Sequence, residues 1–157
     1  MKNTTLCYLE REGCWLMLHR VKKERDMNRD KWLGVGGKLE ENESPEEGIR
    51  REVLEETGLT LGSLRYRGLV TFVSDRWEGE YMHLFTSDDF TGELVECDEG
   101  DLEWVPIAQA PDLPVWEGDR IFFRLLQTRE RFFSLKLTYE GDKLAAASLD
   151  GKPIKKG

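Results

Sequence analysis

Three glutamates, Glu52, Glu55 and Glu56, fall three and four positions apart in the stretch SPEEGIRREVLEETGL, residues 44–59. On a helix that spacing draws them onto one face, an arc of about 100°. Each like-charged pair at that spacing is unfavourable by roughly a few tenths of a kcal/mol. The three also fall in the last turns, where the helix dipole disfavours anions. Arg50 and Arg51 are neighbours in sequence but project at other azimuths. Two chemistries suit such a cluster. One is a solvated acidic face. The other is a hard-cation site, because carboxylate oxygens bind Mg²⁺ or Mn²⁺ while the ion also takes a substrate phosphate. Periodicity alone leaves both open.

The elements that would position these acids are well marked. Ser44 suits the N-cap, Pro45 the first helical position, and Glu47 completes a capping box. Glu46 and Glu47 meet the positive end of the helix dipole, and Gly58 supplies a C-terminal stop. Ile49 and Val53 lie together on the helix, whereas Leu54 is on the far side. Ahead of the helix, WLGVGGKLEENE contains Gly36 and Gly37, a loop whose backbone a ligand can approach closely.

From Gly37 to Leu59 the chain reads G-x5-E-x7-R-E-V-x-E-E-x-G-L, with Gly37, Glu43, Arg51, Glu52, Val53, Glu55, Glu56, Gly58 and Leu59 at the fixed positions. This resembles the signature of the Nudix hydrolases at every fixed position. Such enzymes cleave a nucleoside diphosphate linked to another group, using divalent metal. The resemblance implies catalytic and metal-binding roles for Glu52, Glu55 and Glu56, with the Gly36 carbonyl as a further ligand. It implies that Arg51 orients a glutamate and that Glu43 braces the loop and helix. The acidic loop VECDEGDLEWVP offers Glu96, Asp98 and Glu99, of which Glu99 best matches an added metal ligand. Read without the resemblance, that loop is a solvated acidic segment.

The likeness runs beyond the signature. CWLMLHR, a charged loop and KWLGVGGKLE are similar to the MutT-type enzymes, which degrade oxidised deoxynucleoside triphosphates such as 8-oxo-dGTP. This implies that Arg20 lies near the phosphates, with Gly37 and Lys38 in the substrate-binding set. LPVWEGDRIFFRLL resembles the base-recognition segment of the mammalian oxidised-purine triphosphatase, which implies that Trp116 stacks on the base and Asp119 reads its edge. From the residues alone, Trp116 could equally pack and Asp119 could equally be an N-cap. There is one departure. Leu33 follows Trp32 where the mammalian enzyme has a base-reading asparagine, and an apolar group cannot replace that donor and acceptor. GVGGKLE, LEWVP, WEGD and YEGDKL together look most like the short bacterial MutX type.

The implied activity is Mg²⁺-dependent hydrolysis of an oxidised nucleoside triphosphate to monophosphate and pyrophosphate, a nucleotide-sanitising reaction that supports DNA repair. Other Nudix substrates are the alternative: ADP-ribose, a dinucleoside polyphosphate or an RNA 5′ end. The proline that ADP-ribose hydrolases carry after the signature is absent here. A non-catalytic Nudix-fold module ranks below both, since such modules lose signature glutamates and this chain keeps them all.

The remaining sequence places these residues on a frame. TTLCYLER and CWLMLHR flank a tight EG turn, LRYRGLVTFVS and EYMHLFTSD read as two more strands, DLEWVPI as a short one, and RFFSLKLTYEGDKLAAASL as a hairpin turning near Gly141 and Asp142. DRIFFRLLQTRER, 119–131, has amphipathic helical spacing. The fold class is α/β (α+β), a mixed curved sheet between helices with the signature as a loop-helix-loop unit. With 157 residues and no linker, one domain over 1–150 is expected, followed by a loose tail at 151–157.

A net charge of −8 argues against a nucleic-acid polymer as partner and for a small anionic ligand reached through metal. No apolar run is long enough to span a membrane, and MKNTTLCYLE lacks the layout of a secretory signal, so the expected address is the cytoplasm. A monomer or small homo-oligomer is expected. Cys7, Cys14 and Cys97 have no metal or disulfide spacing and read as small hydrophobes. His19 and His83 read as structural. Lys22, Lys23, Arg25, Arg29 and Lys31 give the loop before the signature a basic bias, interrupted by Glu24, Asp26 and Asp30.

Overall fold

The computed structural model describes residues 1–22 and 26–155; Lys23, Glu24 and Arg25 of the charged loop lie outside them. The chain runs through β1 (Lys2–Arg11), β2 (Cys14–His19), β3 (Trp32–Leu33), α1 (Pro45–Thr57), β4 (Thr60–Leu61), β5 (Arg65–Ser74), β6 (Glu80–Ser87), β7 (Phe90–Thr91) and β8 (Asp101–Pro106). A 3₁₀ turn (Ile107–Asp112), α2 (Asp119–Thr128), β9 (Phe133–Glu140), β10 (Lys143–Leu149) and β11 (Lys152–Ile154) complete it. The large sheet has the order β11-β10-β9-β5-β6-β1-β2-β3, with β8 also paired to β2, and β4 and β7 form a small ribbon of their own. It is mixed: β1 runs parallel to β6 and β5 parallel to β9, while the hairpin pairs are antiparallel.

Each face of the sheet receives one helix, as the fold class requires. Ile49 and Val53 of α1 are fully buried against Cys7, Leu9, Leu16, Val35 and Phe85. Burying two such side chains contributes about 1.5–3 kcal/mol each. Leu54, on the far side of α1, is 52% exposed. On the other face Ile121, Phe122, Phe123 and Leu126 of α2 pack on Tyr8, Trp15, Leu135 and Leu137.

The ends of α1 are those the sequence specifies. Ser44 accepts from the Glu47 amide at 3.1 Å and the Glu47 carboxylate accepts from the Ser44 amide at 2.9 Å. Gly58 closes the helix at φ +80°, where a side chain would be strained. Two expectations differ from the structure. α2 stops at Thr128 rather than running to 131, because Arg129 is already extended. Residues 152–154, expected in a loose tail, instead pair with β10 as β11; Gly151, at φ +85°, makes the tight turn that folds them back. The strands of two or three residues (β3, β4, β7 and β11) carry no alternation of their own and exist through pairing.

Both histidines have partners: His19 stacks on Trp32 at 4.4 Å, and His83 contacts the Tyr66 hydroxyl and Asn3. Cys7 and Cys97 are buried and Cys14 half-buried, all as free thiols. No helix among the described residues is long and apolar enough to cross a membrane.

Candidate active site

The last turns of α1 present Glu52, Glu55 and Glu56 toward the glycine loop between β3 and α1 and toward the loop before β8. Arg51 does not stay at its own azimuth. Its long side chain folds back, so that Nη1 donates to Glu52 at 2.8 Å and to Glu55 at 3.3 Å. The same guanidinium forks onto Glu43 at 2.7 and 2.9 Å and donates to the Lys38 carbonyl at 3.2 Å. Arg51 therefore ties the glycine loop, the loop before the helix and two of the three acids into one unit. These bonds hold the Glu43 carboxyl down at about 2.

Glu56 is in a different state. Burial, then the negative charges of Glu99 and Glu52 and a hydrogen bond with Glu99, push its pKa up to about 9, with Arg20 pulling the other way. Its Oε2 is buried with no hydrogen-bond partner among the described residues. Burial also raises Glu52, against the pull of Arg51. Of the three acids in the segment VECDEG before β8, Glu99 faces the helix, while Glu96 and Asp98 are exposed. Arg20, at the end of β2, donates to Glu99 at 3.2 Å and to Asp26 at 2.8 Å. Lys22 reaches the Cys97 carbonyl at 2.6 Å and fastens the charged loop to the same segment.

The glycines make room for these acids. A β-carbon on Gly37 would lie 2.7 Å from the Glu52 carboxyl, and one on Gly36 would run into the Thr5 backbone. The donor set fits a hard divalent cation: buried like-charged carboxyls, one of them with an oxygen that has no partner among the described residues. Glu52, Glu56 and Glu99 share the buried part of the site, and Glu55 stands at its rim, 59% exposed. Among the described residues no three acidic, histidine or cysteine side chains converge on one point; Arg51 pairs with Glu52 and Glu55, and Arg20 with Glu99.

Beside the acids lies a cavity of about 120 Å³, and Gly36, Gly37 and Arg20 belong to its wall. Its apolar lining comes from Met27, Leu33, Phe72, Met82 and Leu137; Asn28, Trp116, Asp119 and Tyr139 add polar groups. Trp116 and Asp119 are each only 5% exposed. The Trp116 indole N–H donates to Asn28 Oδ1 at 2.7 Å, the Lys31 ammonium sits 4.7 Å over the ring, and Phe72 and Tyr139 meet it edge-on. Asp119 is the first residue of α2 but not its cap, a position that Gly118 holds without a side-chain bond. No hydrogen bond reaches the Asp119 carboxyl among the described residues, and burial lifts its pKa to about 8 against Arg120 and Lys31.

The structure thus groups Gly36, Gly37, Glu52, Glu56, Glu99 and Arg20 on one side and Trp116 and Asp119 on the other. Lys38 stands apart. Its side chain is exposed over a separate depression near Met1 and Glu41, and only its carbonyl joins the site, through Arg51.

This arrangement has relatives. A profile of the NUDIX domain matches residues 2–126. The chain belongs to the Nudix hydrolase family. The hydrolase is 38% identical over 112 residues to the oxidized purine nucleoside triphosphate hydrolase of Danio rerio, covering 70% of this chain and 71% of that one. It is 33% identical over 111 residues to the protein of the same name from Mus musculus, with 70% and 71% covered. The crystal structure of a MutT protein from Bacillus halodurans superposes with a TM-score of 0.84 at 27% identity, over 98% of this chain and all of that one. The enzyme is of the MutT type, and Nudix hydrolases generally use divalent metal ions.

Sequence reasoning missed Asn28, Phe72, Glu80, Met82 and Tyr139, all in the cavity wall. For Glu80 a signal existed: in EYMHLF it shares the strand face of Met82 and Leu84.

Proposed function

We propose that this enzyme hydrolyses a nucleoside triphosphate with an oxidised base, releasing the monophosphate and pyrophosphate, with Mg²⁺ as its ion. One observation carries the reading. The acid cluster and an aromatic-walled cavity share the glycine loop, since Gly37 lines the cavity and leaves room for a β-carbon only at the expense of the Glu52 carboxyl. A ligand with a flat apolar end and a phosphate end fits that pairing.

In this reading Glu52, Glu55, Glu56, Glu99 and the Gly36 carbonyl hold the ion. When bound, Mg²⁺ neutralises phosphate charge and lowers the pKa of a water. Arg51 keeps Glu52 and Glu55 oriented, and Arg20 stands at the phosphate end, between Glu99 and the cavity. Trp116 would stack on the base, which takes the place of the Lys31 ammonium that covers a face of the ring in the free protein. Asp119, neutral at pH 7, presents a donor and an acceptor to the base edge. Leu33 gives that edge only an apolar contact. Water attack at the α- or β-phosphorus breaks the α–β phosphoanhydride bond, and the monophosphate and pyrophosphate leave.

The test is a panel of plain and oxidised nucleoside triphosphates, ADP-ribose and dinucleoside polyphosphates with Mg²⁺, scored for pyrophosphate against orthophosphate. Pyrophosphate from an oxidised purine triphosphate at the highest kcat/KM is expected. No turnover of any triphosphate sinks the reading.

A further inference from the structure

β6 contains an anomaly. Met82 and Leu84 pack on the α2 side of the sheet, and strand alternation gives residue 80 the same face. That residue is Glu80, only 7% exposed where the pattern calls for an apolar side chain. Register sets it beside Lys2 on β1 and Phe72 on β5. Burial and the Glu78 carboxylate favour the neutral carboxyl; the Lys2 ammonium and the Thr4 hydroxyl favour the ionised one, and burial outweighs them. A buried ionisable group on a sheet face is unfavourable unless something uses its hydrogen bonds. Glu80 borders the same cavity as Asp119, Asn28 and Trp116.

We propose that Glu80 is a second specificity-determining residue, hydrogen-bonding the substrate's base from the sheet side while Asp119 does so from the helix side. The proposal rests on the cavity being the base site. The two acids enter it from different layers, β6 and α2, so one flat ligand meets them at separate parts of its rim. A carboxyl group pairs best with an N–H beside a carbonyl or ring nitrogen. The class selected is a purine whose five-membered ring presents an N–H beside a carbonyl; an 8-oxopurine has N7–H next to its C8 carbonyl, whereas a plain purine has there only the N7 acceptor and a C8–H. Leu33 cannot take this role, and Asn28 has its oxygen committed to Trp116.

The experiment measures binding of nucleoside monophosphates without metal, by titration calorimetry, alongside kcat/KM for the matching triphosphates with Mg²⁺. Guanine, 8-oxoguanine and hypoxanthine forms are compared on wild type, Glu80→Gln and Glu80→Leu. Glu80→Leu is expected to lower the preference for one substituent by ~10-fold or more, the scale set by an unpaired polar group, with Glu80→Gln in between. Its melting temperature should hold or rise, since a buried ionisable group is replaced by an apolar one. Equal losses on all three bases, or no change, overturn the role of Glu80 while leaving the proposed activity standing. A wild type that neither binds nor turns over any of them overturns both.

Discussion

Glu56 and Asp119 are both buried carboxyls whose pKa lies far above its ordinary value, about 9 and about 8. They got there by different routes. Glu56 is raised by burial together with the negative charges of Glu99 and Glu52. Asp119 is raised by burial alone, with its charged neighbours, Arg120 and Lys31, both positive. A cation placed among the acids would reverse the first shift and leave the second untouched. The pair shows how one physical effect, desolvation, makes a ligand for metal in one place and a neutral hydrogen-bonding group in another.

The largest test of that contrast is Glu56→Gln. It should lower kcat by ~10³-fold, within the range for losing a positioned acid-base or metal-ligating group, while circular dichroism shows a native fold. An unchanged rate removes Glu56 from the metal site. Next comes Asp119→Ala, expected to reduce kcat/KM for the preferred base by ~10–100-fold with no change in the Mg²⁺ concentration at half-maximal rate. A uniform loss across bases would give Asp119 a structural part only.

The smallest effect is on stability. Both groups have folded-state pKa values raised above the unfolded ones, so the native state binds more protons between about 4 and 9. Metal-free protein should therefore be most stable near pH 5 and lose melting temperature steadily as pH rises to 9. Adding Mg²⁺ should flatten the part due to Glu56, and Asp119→Asn the rest. A melting temperature that climbs over this range contradicts both assignments.

What the sequence makes legible here is local. The caps of α1 and the spacing of its acids are decided within sixteen residues, and the structure agrees with them in detail. Arg51 is where local reasoning fails. Its azimuth points away from Glu52, but the side chain is long enough to return to two acids on its own helix and to the loop before it. The cavity was only half legible. Trp116 and Asp119 stand in a recognisable segment, whereas Phe72, Tyr139 and Asn28 enter through strand register and a turn that no short window encodes. Glu80 went unread, although a charge on an apolar strand face was there to be noticed. Lys38, which the resemblance places in the substrate-binding set, has an exposed side chain here and joins the acid unit through its carbonyl.

The parallel pairing of Lys2–Leu9 with Glu80–Ser87 bears on how the enzyme comes into being. A helix such as α1 can form within about a microsecond, and its acids are complete by residue 56. The cavity must wait for β6, for α2 and for Tyr139 on β9, contacts whose wide sequence separation makes them slow to form. A nascent chain thus carries the three acids of α1 well before Glu99 joins them and before the cavity wall is in place.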